Sequence, residues 1–333
     1  MRAMILKRFA PVENIPLKAV ELPLPEPGKG EVRVRVRVCG VCHTDLHTVE
    51  GELPGAKLPR IPGHQVVGVV EKRGPGAERF QKGDRVGAAW LYSACGGCDF
   101  CRRGDENLCS QAHFTGYHAH GGFAQYMIAR EDFLYALPGE FTDAEAAPLL
   151  CAGIIGYRAL KLSGVREGQR LGLFGFGASA HVSIQVARHM GCETFVFSRS
   201  AAHRRLARDL GASWTGTVQN TPPAKLHGSV IFAPAGELVP EALRLTERGG
   251  AVALAGIYMT PIPGMDYLKH LYHERILRSV ANATRKDGEE LLAAASRIPI
   301  KTRTTSFPLE MANEALLLIK QGEVNGAAVL TVD

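Results

Sequence analysis

No stretch of this 333-residue chain approaches the roughly twenty consecutive apolar residues that a membrane-crossing helix needs. The opening segment, Met1 to Arg8, lacks the apolar core and small-residue cleavage site of a secretory leader, and a cytoplasmic protein with no membrane partner is the expectation. There is no internal repeat and no low-complexity tract, which excludes solenoid and fibrous architectures. Charge of one sign is nowhere concentrated: the net charge of +6 comes from dispersed lysines and arginines, so no nucleic-acid partner is expected. The densest basic set, Arg33, Arg35 and Arg37, alternates with Val32, Val34, Val36 and Val38, the period-2 pattern of a strand with one buried face and its arginines in water.

What is present describes a soluble globular chain, 46% apolar and 22% charged, too long for a single ordinary core and so expected to form two domains. Up to about residue 140 the pattern is one of short strands broken by Gly and Pro turns. The stretch Cys39-Gly-Val-Cys42-His43-Thr44-Asp45-Leu-His47 then places a thiol, imidazoles, a hydroxyl and a carboxylate within nine residues, and a further imidazole, His64, sits in a Gly-rich turn. Such groups can hold a zinc ion with one open position.

The eight cysteines are Cys39, Cys42, Cys95, Cys98, Cys101, Cys109, Cys151 and Cys192. A reducing compartment argues against a disulfide framework, and the spacing argues for metal. Cys95, Cys98, Cys101 and Cys109 follow a Cys-x2-Cys-x2-Cys-x7-Cys pattern with glycines between, suited to a closed, structural tetrahedral zinc site; an iron–sulfur cluster is the competing reading. Cys39 and Cys192 read as core residues, and Cys151, alone on an apolar helix, is by itself no more than that. That helix begins near Asp143, with Thr142 as N-cap and Glu145 closing a capping box, and runs on through Cys151.

From Gln169 the pattern changes to strand, glycine turn and helix. Gly175, Gly177 and Ala180 form a G-x-G-x-x-A turn, in which the first glycine allows the bend, the second lets a pyrophosphate approach and the alanine keeps helix and strand close. Further β/α alternation, with helices over Arg204–Leu210 and Glu241–Arg248, gives a doubly wound parallel sheet that binds a dinucleotide. At the end of its second strand stand Ser198 and Arg199 where an acidic residue would favour NAD; the small-residue–arginine pair favours the 2′-phosphate of NADP, against the plainer reading of a solvated basic helix start.

These motifs, in this order, resemble the zinc-dependent alcohol dehydrogenases of the medium-chain dehydrogenase/reductase superfamily over nearly the whole chain. The resemblance implies a mostly β GroES-like catalytic domain over 1–148 and 282–333, with a structural-zinc lobe at 92–112, and a Rossmann domain over 149–281. It implies two zinc ions per chain: a catalytic one on Cys42, His64 and Cys151, and a structural one on Cys95, Cys98, Cys101 and Cys109. By the same resemblance Thr44 contacts the substrate hydroxyl, His47 relays its proton by way of the cofactor ribose, His43 lies near the pyrophosphate, Asp45 orients His64 and Trp90 walls the substrate pocket. The implied reaction is reversible hydride transfer between a primary or small secondary alcohol and NAD(P), in a homodimer or homotetramer. A polyol dehydrogenase or a quinone reductase of the same superfamily, and a non-enzymatic zinc-ribbon module, are the alternatives. Two positions depart from the family pattern: Gln65 replaces the usual Glu after the metal-binding His, and Ile155 replaces the usual Thr four residues after Cys151.

Overall fold

The computed structural model describes residues 1–324 and 326–332. The chain divides into two compact units: Met1–Cys151 with Thr284–Leu292 and Lys301–Asp333, and Ala152–Ala283 with Ala293–Ile300.

The first unit is mostly β. Its backbone is the strand Glu31–Val41, which pairs antiparallel with Gln65–Arg73, with Tyr126–Arg130 and, at its far end, with Ala327–Thr331. The sheet continues through Arg85–Ala88 to Leu134–Ala136 on one side and to Thr304–Pro308 on the other. A separate antiparallel pair, Arg2–Leu6 with Leu17–Glu21, packs its apolar residues into the same core as Val34, Val36, Val66, Phe123, Met127 and Leu330.

The alternation expected for residues 32–38 holds only in part. Val32, Val34 and Val36 are buried and Arg35 and Arg37 exposed, but Arg33 is buried to 7% exposure. The pairing register slips between Arg33 and Val34, leaving Glu71 as the extra residue of the facing strand, and the arginine is covered from that side. Its charge is met there by Glu71 at 2.6 Å, Glu26 at 3.1 Å and the carbonyl of Pro25 at 3.0 Å. A buried guanidinium persists only when its donors are met in this way.

The second unit is a six-stranded, wholly parallel sheet in the order Trp214–Gly216, Glu193–Phe197, Arg170–Phe174, Leu226–Ile231, Thr246–Leu254, Ile276–Ser279. The chain winds outward from Arg170–Phe174 on one side, then returns to add strands on the other. This reversal makes the carboxyl ends of Arg170–Phe174 and Leu226–Ile231 the switch point at which such sheets bind ligands. The helices Ala178–His189, Ala201–Asp209 and Leu238–Leu245 connect the strands. The last of these stops at Leu245, short of the expected Arg248: buried Thr246 turns its hydroxyl back on the carbonyl of Ala242 at 2.7 Å and opens the next strand. The rings of Phe174 and Phe197 stack at 4.3 Å within the core beneath.

Gly68 shows how closely the first sheet is packed: a Cβ there would lie 2.4 Å from the carbonyl oxygen of Arg35. Gly68→Ala is expected to cost about 1–3 kcal/mol in thermal or denaturant unfolding, as overpacking does. Gly139→Ala, whose Cβ would meet nothing within 4 Å, is expected to change little.

Candidate active site

Cys42 is the N-cap of the helix His43–Glu50 and accepts the N–H of Thr44 on Sγ at 3.4 Å. The helix starts there because Asp45, three residues on, reaches back to the N–H of Cys42 at 3.0 Å and closes a capping box. The other oxygen of Asp45 accepts the N–H of Gly63 at 3.2 Å and meets Nδ1 of His64 at 3.0 Å. One carboxylate, 2% exposed, thus joins the helix start to the turn that carries His64, itself 1% exposed. With Nδ1 donating to Asp45, Nε2 of His64 is the free edge of the ring, and it lies 3.6 Å from Sγ of Cys42.

Cys151 reaches the same point because the helix expected through it is broken there. The capping box of Thr142 and Glu145 forms as the sequence predicts and starts the helix Asp143–Ala146. A 3-10 turn, Ala147–Leu150, follows with Pro148 in its first positions, and Cys151 leaves helical geometry at φ −131 and ψ −73 before Ala152–Leu162 resumes. Pro148 supplies no N–H to continue the α ladder. The donor atoms of Cys42, His64 and Cys151 lie within 4.8 Å of one another.

Burial and neighbouring charge organise this trio. The thiol of Cys151 and the imidazole of His64 hold Cys42 well below the usual thiol range, against the opposing effect of burial. Cys151 moves the other way, pushed up by Cys42 and by burial. Burial disfavours a charged His64, but Asp45 and Cys42 outweigh it and raise the imidazole to about 10. A cation at Nε2 would take the place of that proton. The donor chemistry suits zinc: bond lengths of about 2.3 Å to sulfur and 2.0 Å to nitrogen place tetrahedral donors about 3.5 Å apart.

The four remaining clustered cysteines also converge, with all sulfurs within 4.8 Å of one another. Cys101 lies 3.5 Å from Cys98 and 3.8 Å from Cys95, against about 3.8 Å for the edge of a tetrahedral zinc–thiolate site. All eight cysteines are free thiols. Main-chain N–H groups of Cys98 and Gln111 point at Cys95 and Cys109. Such bonds hold Cys95 down to about 6, whereas burial and Cys98 push Cys101 up to about 12. Cys39 and Cys192 are buried and belong to neither set, although Cys39 lies close enough to Asp45 and Cys42 for their charge, with burial, to push its thiol up.

Around the trio, Trp90 meets His64 edge-on at 5.0 Å, stacks on Phe114 at 5.1 Å and lies 5.8 Å from Tyr117. His43 and His47 face each other at 6.4 Å on the helix that begins at Cys42, and Nδ1 of His47 is hydrogen-bonded to Glu52. Gln65 is 3% exposed, its Nε2 without a hydrogen-bond partner among the described residues and its side chain lying so close over Gly40 that a Cβ there would be 2.8 Å away. Ile155 lies, half-buried, on the helix Ala152–Leu162. Phe114, Tyr117 and Glu52 are additions that sequence does not single out. The loop containing the two aromatics is brought in by Gly121 and Gly122, whose N–H groups bond Ile61 and Gly63 at 2.8 and 2.9 Å. Only those paired glycines hint at the contact.

In the second unit Gly175 has φ 88, and a Cβ there would sit 2.9 Å from the amide nitrogen of Ala233, so the turn requires glycine. Gly177 is the N-cap of Ala178–His189, with no side chain capping the first turn and open space where its Cβ would be. A helix start with free N–H groups behind an open glycine is a cradle for phosphate oxygens. Ala180 is fully buried beneath it. Ser198 follows the strand Glu193–Phe197, Arg199 is exposed, and Arg204 is committed to the carbonyls of Ser198 and Arg199 at 2.6 and 2.9 Å.

Comparison with known proteins agrees with this arrangement. Residues 28–139 match the alcohol dehydrogenase GroES-like domain model and residues 180–297 the zinc-binding dehydrogenase model. The chain is 45% identical over 338 residues to a probable alcohol dehydrogenase, AdhA, of Mycobacterium tuberculosis, covering 100% of this chain and 97% of that protein. It is 37% identical to an alcohol dehydrogenase of Geobacillus stearothermophilus, with 100% of both chains covered. Among solved structures, the alcohol dehydrogenase of the archaeon Aeropyrum pernix superposes with a TM-score of 0.88 at 27% identity over 100% of both chains. An NAD-dependent alcohol dehydrogenase does so with a TM-score of 0.89 at 26% identity, also over 100% of both.

Asp45→Asn removes the charge that fixes the ring of His64. The affinity of the trio for cobalt(II), followed by thiolate-to-metal absorption in a chelator competition, is expected to fall about tenfold to a hundredfold, with the far-ultraviolet circular dichroism unchanged.

Proposed function

Because this chain belongs to the zinc-binding alcohol dehydrogenases of the medium-chain dehydrogenase/reductase superfamily, we propose that Cys42, His64 and Cys151 hold its catalytic zinc, and that Cys95, Cys98, Cys101 and Cys109 hold a structural one. The observation that carries the assignment is the number of donors. Three side chains from well-separated segments meet at one point and four meet at the other. Three protein donors leave a vertex for substrate, and four close the shell.

A zinc ion in the first site supplies Lewis acidity, lowering the pKa of a hydroxyl as it does that of water and polarising a carbonyl in the reverse direction. The chain's own groups do the rest. Asp45 fixes the tautomer of His64, and the thiolate-favouring environment of Cys42 makes it a ready ligand. Thr44 accepts the hydroxyl proton of the substrate, and His47, steadied by Glu52, carries it outward by way of the cofactor ribose. His43 lies beside the pyrophosphate. A dinucleotide held at Gly175 and Gly177 would accept the hydride of the carbinol carbon, so that one alcohol and one NAD(P)⁺ would yield one carbonyl compound, one NAD(P)H and a proton. Trp90 is the wall of a pocket for slender primary or small secondary alcohols.

The mostly β unit is the catalytic, GroES-like domain and the parallel sheet the Rossmann domain. In the latter Gly175, Gly177 and Ala180 receive the pyrophosphate, and Ser198 and Arg199 the 2′-phosphate of NADP, the preferred cofactor. Exposed Tyr267, Leu268, Tyr272 and Ile276 cluster in sequence around Ile276–Ser279, the strand at one end of the parallel sheet, and support a homodimer or homotetramer in which that edge is covered. No helix among the described residues is long and apolar enough to cross a membrane, and eight free thiols fit a reducing cytoplasm.

A screen of primary, secondary and polyhydric alcohols with NAD⁺ and NADP⁺, read by nicotinamide absorbance, is expected to show turnover of simple alcohols that chelation abolishes and zinc restores. Chelator-insensitive turnover, or turnover of polyols alone, would contradict the reading. Arg199→Ala is expected to raise KM for NADP⁺ about tenfold or more, the worth of one charge-assisted hydrogen bond, and to leave KM for NAD⁺ little changed.

A further inference from the structure

Residues 54–60 and 113–120 carry five basic side chains, Lys57, Arg60, His113, His118 and His120, and no acidic one. The two segments are fastened together: the hydroxyl of Tyr117 donates to the carbonyl of Pro54, and Nδ1 of His120 accepts the N–H of Ile61 at 3.1 Å. Within this cluster Nε of Arg60 and Nδ1 of His118 are buried and have no hydrogen-bond partner among the described residues. Burial and the charges of His113, Arg60 and Lys57, all of one sign, hold His118 below its ordinary range. A buried polar atom left unpaired costs free energy, and two on adjoining segments, close enough for the charge of Arg60 to act on His118 and with no carboxylate in either segment, describe a site lacking its anion.

The position of the cluster says what that anion belongs to. His118 packs edge-on against Tyr117 at 4.6 Å and stacks on Phe114 at 5.4 Å. Those two rings are the neighbours of Trp90, whose other contact is His64 at 5.0 Å. A run of aromatic rings therefore leads from His64 at one end to His118 at the other, where the charge of Arg60 is felt. We propose that Arg60 and His118, with Lys57 and His113 beside them, form an oxyanion subsite, and that the preferred alcohols and aldehydes carry a carboxylate or phosphate several carbons from the reacting centre. This deepens the dehydrogenase reading of the Cys42–His64–Cys151 centre and rests on it. The apolar chain of such a substrate lies on the aromatic wall, and its charge meets a guanidinium suited to two-point recognition of oxyanions.

The test uses the zinc-loaded enzyme and matched substrates: 1-hexanol, 6-hydroxyhexanoate and 6-hydroxyhexyl phosphate. One of the two anionic alcohols is expected to exceed hexanol in kcat/KM by about tenfold to a hundredfold, chiefly through KM, as one or two charge-assisted hydrogen bonds would give. Which of the two leads identifies the anion. In Arg60→Gln the ratio of anionic to neutral kcat/KM is expected to fall towards one and in Arg60→Lys to recover in part; a ratio is insensitive to general damage. Inorganic phosphate, titrated calorimetrically, is expected to bind the wild type and not Arg60→Gln. Equal use of neutral and anionic alcohols, or a ratio untouched by Arg60→Gln, would overturn the substrate assignment while leaving the dehydrogenase reading intact. Phosphate binding without any substrate preference would make this a free-anion site and overturn the assignment equally. Absence of turnover with all three alcohols would count against the dehydrogenase reading, and the phosphate titration would then decide the subsite alone.

Discussion

The carboxylate of Asp45 is the constraint on which the candidate catalytic centre depends. Its two oxygens take the N–H of Cys42, the N–H of Gly63 and the ring of His64. Remove it and a helix loses its cap, a turn loses its tether and an imidazole loses its orientation together. These effects share one cause, because the segments carrying the first and second donors touch through this side chain. A buried acid is expensive unless fully hydrogen-bonded; here three donors converge on it and offset part of the cost, while burial still holds its pKa above the ordinary range. Asp45 also adds negative charge close to the thiols of Cys39 and Cys151 and helps to push both up, so the pocket attracts positive charge, carried by a proton or by a metal ion.

Glycine makes the rest of this geometry possible. A Cβ on Gly121 would stand 2.0 Å from the carbonyl of Gly63, and one on Gly116 would stand 2.8 Å from its nitrogen. The loop that brings Phe114 and Tyr117 to Trp90 thus lies backbone to backbone on the turn that presents His64. Packing that close leaves little freedom for His64 to move without the aromatic wall moving too. Position of the metal donor and shape of the pocket are consequently one property of the chain, fixed by a handful of residues with no side chain at all.

Much of this was legible in the residues themselves, and the legible parts share a short reach. The four-cysteine lobe, the capping box of Thr142 and Glu145 and the turn through Gly175 and Gly177 are each set within about fifteen residues, where spacing and local hydrogen bonding decide the outcome. The parallel sheet followed from the same local alternation. Arg33 was misread as solvated because its burial depends on a register slip and on Glu26 and Glu71, neither of which period-2 alternation encodes. The break at Cys151 was hidden because an apolar run with one proline reads equally well as a continuous helix. Glu52, Tyr117 and Arg60 left no signal, since their roles arise only when the loops around residues 55 and 117 meet.

The two cysteine sets show why local chemistry alone does not name a site. Both gather thiols at ligand spacing, yet their surroundings differ. The lobe is built over a small cluster of Leu91, Ala112 and Phe133, with Cys95 exposed and main-chain N–H groups aimed at its sulfurs. Those bonds neutralise thiolate charge near water, where little else is needed, and four sulfurs complete the shell. The trio has a buried imidazole with Trp90 edge-on to it, mixes a nitrogen with its sulfurs and has that imidazole braced from behind by a carboxylate. Around a buried imidazole each charge acts with less screening, so a cation held there would act strongly on a ligand beside it. Donor count and burial, more than donor identity, are what distinguish the centre proposed to act on an alcohol from the one proposed to hold a loop in place.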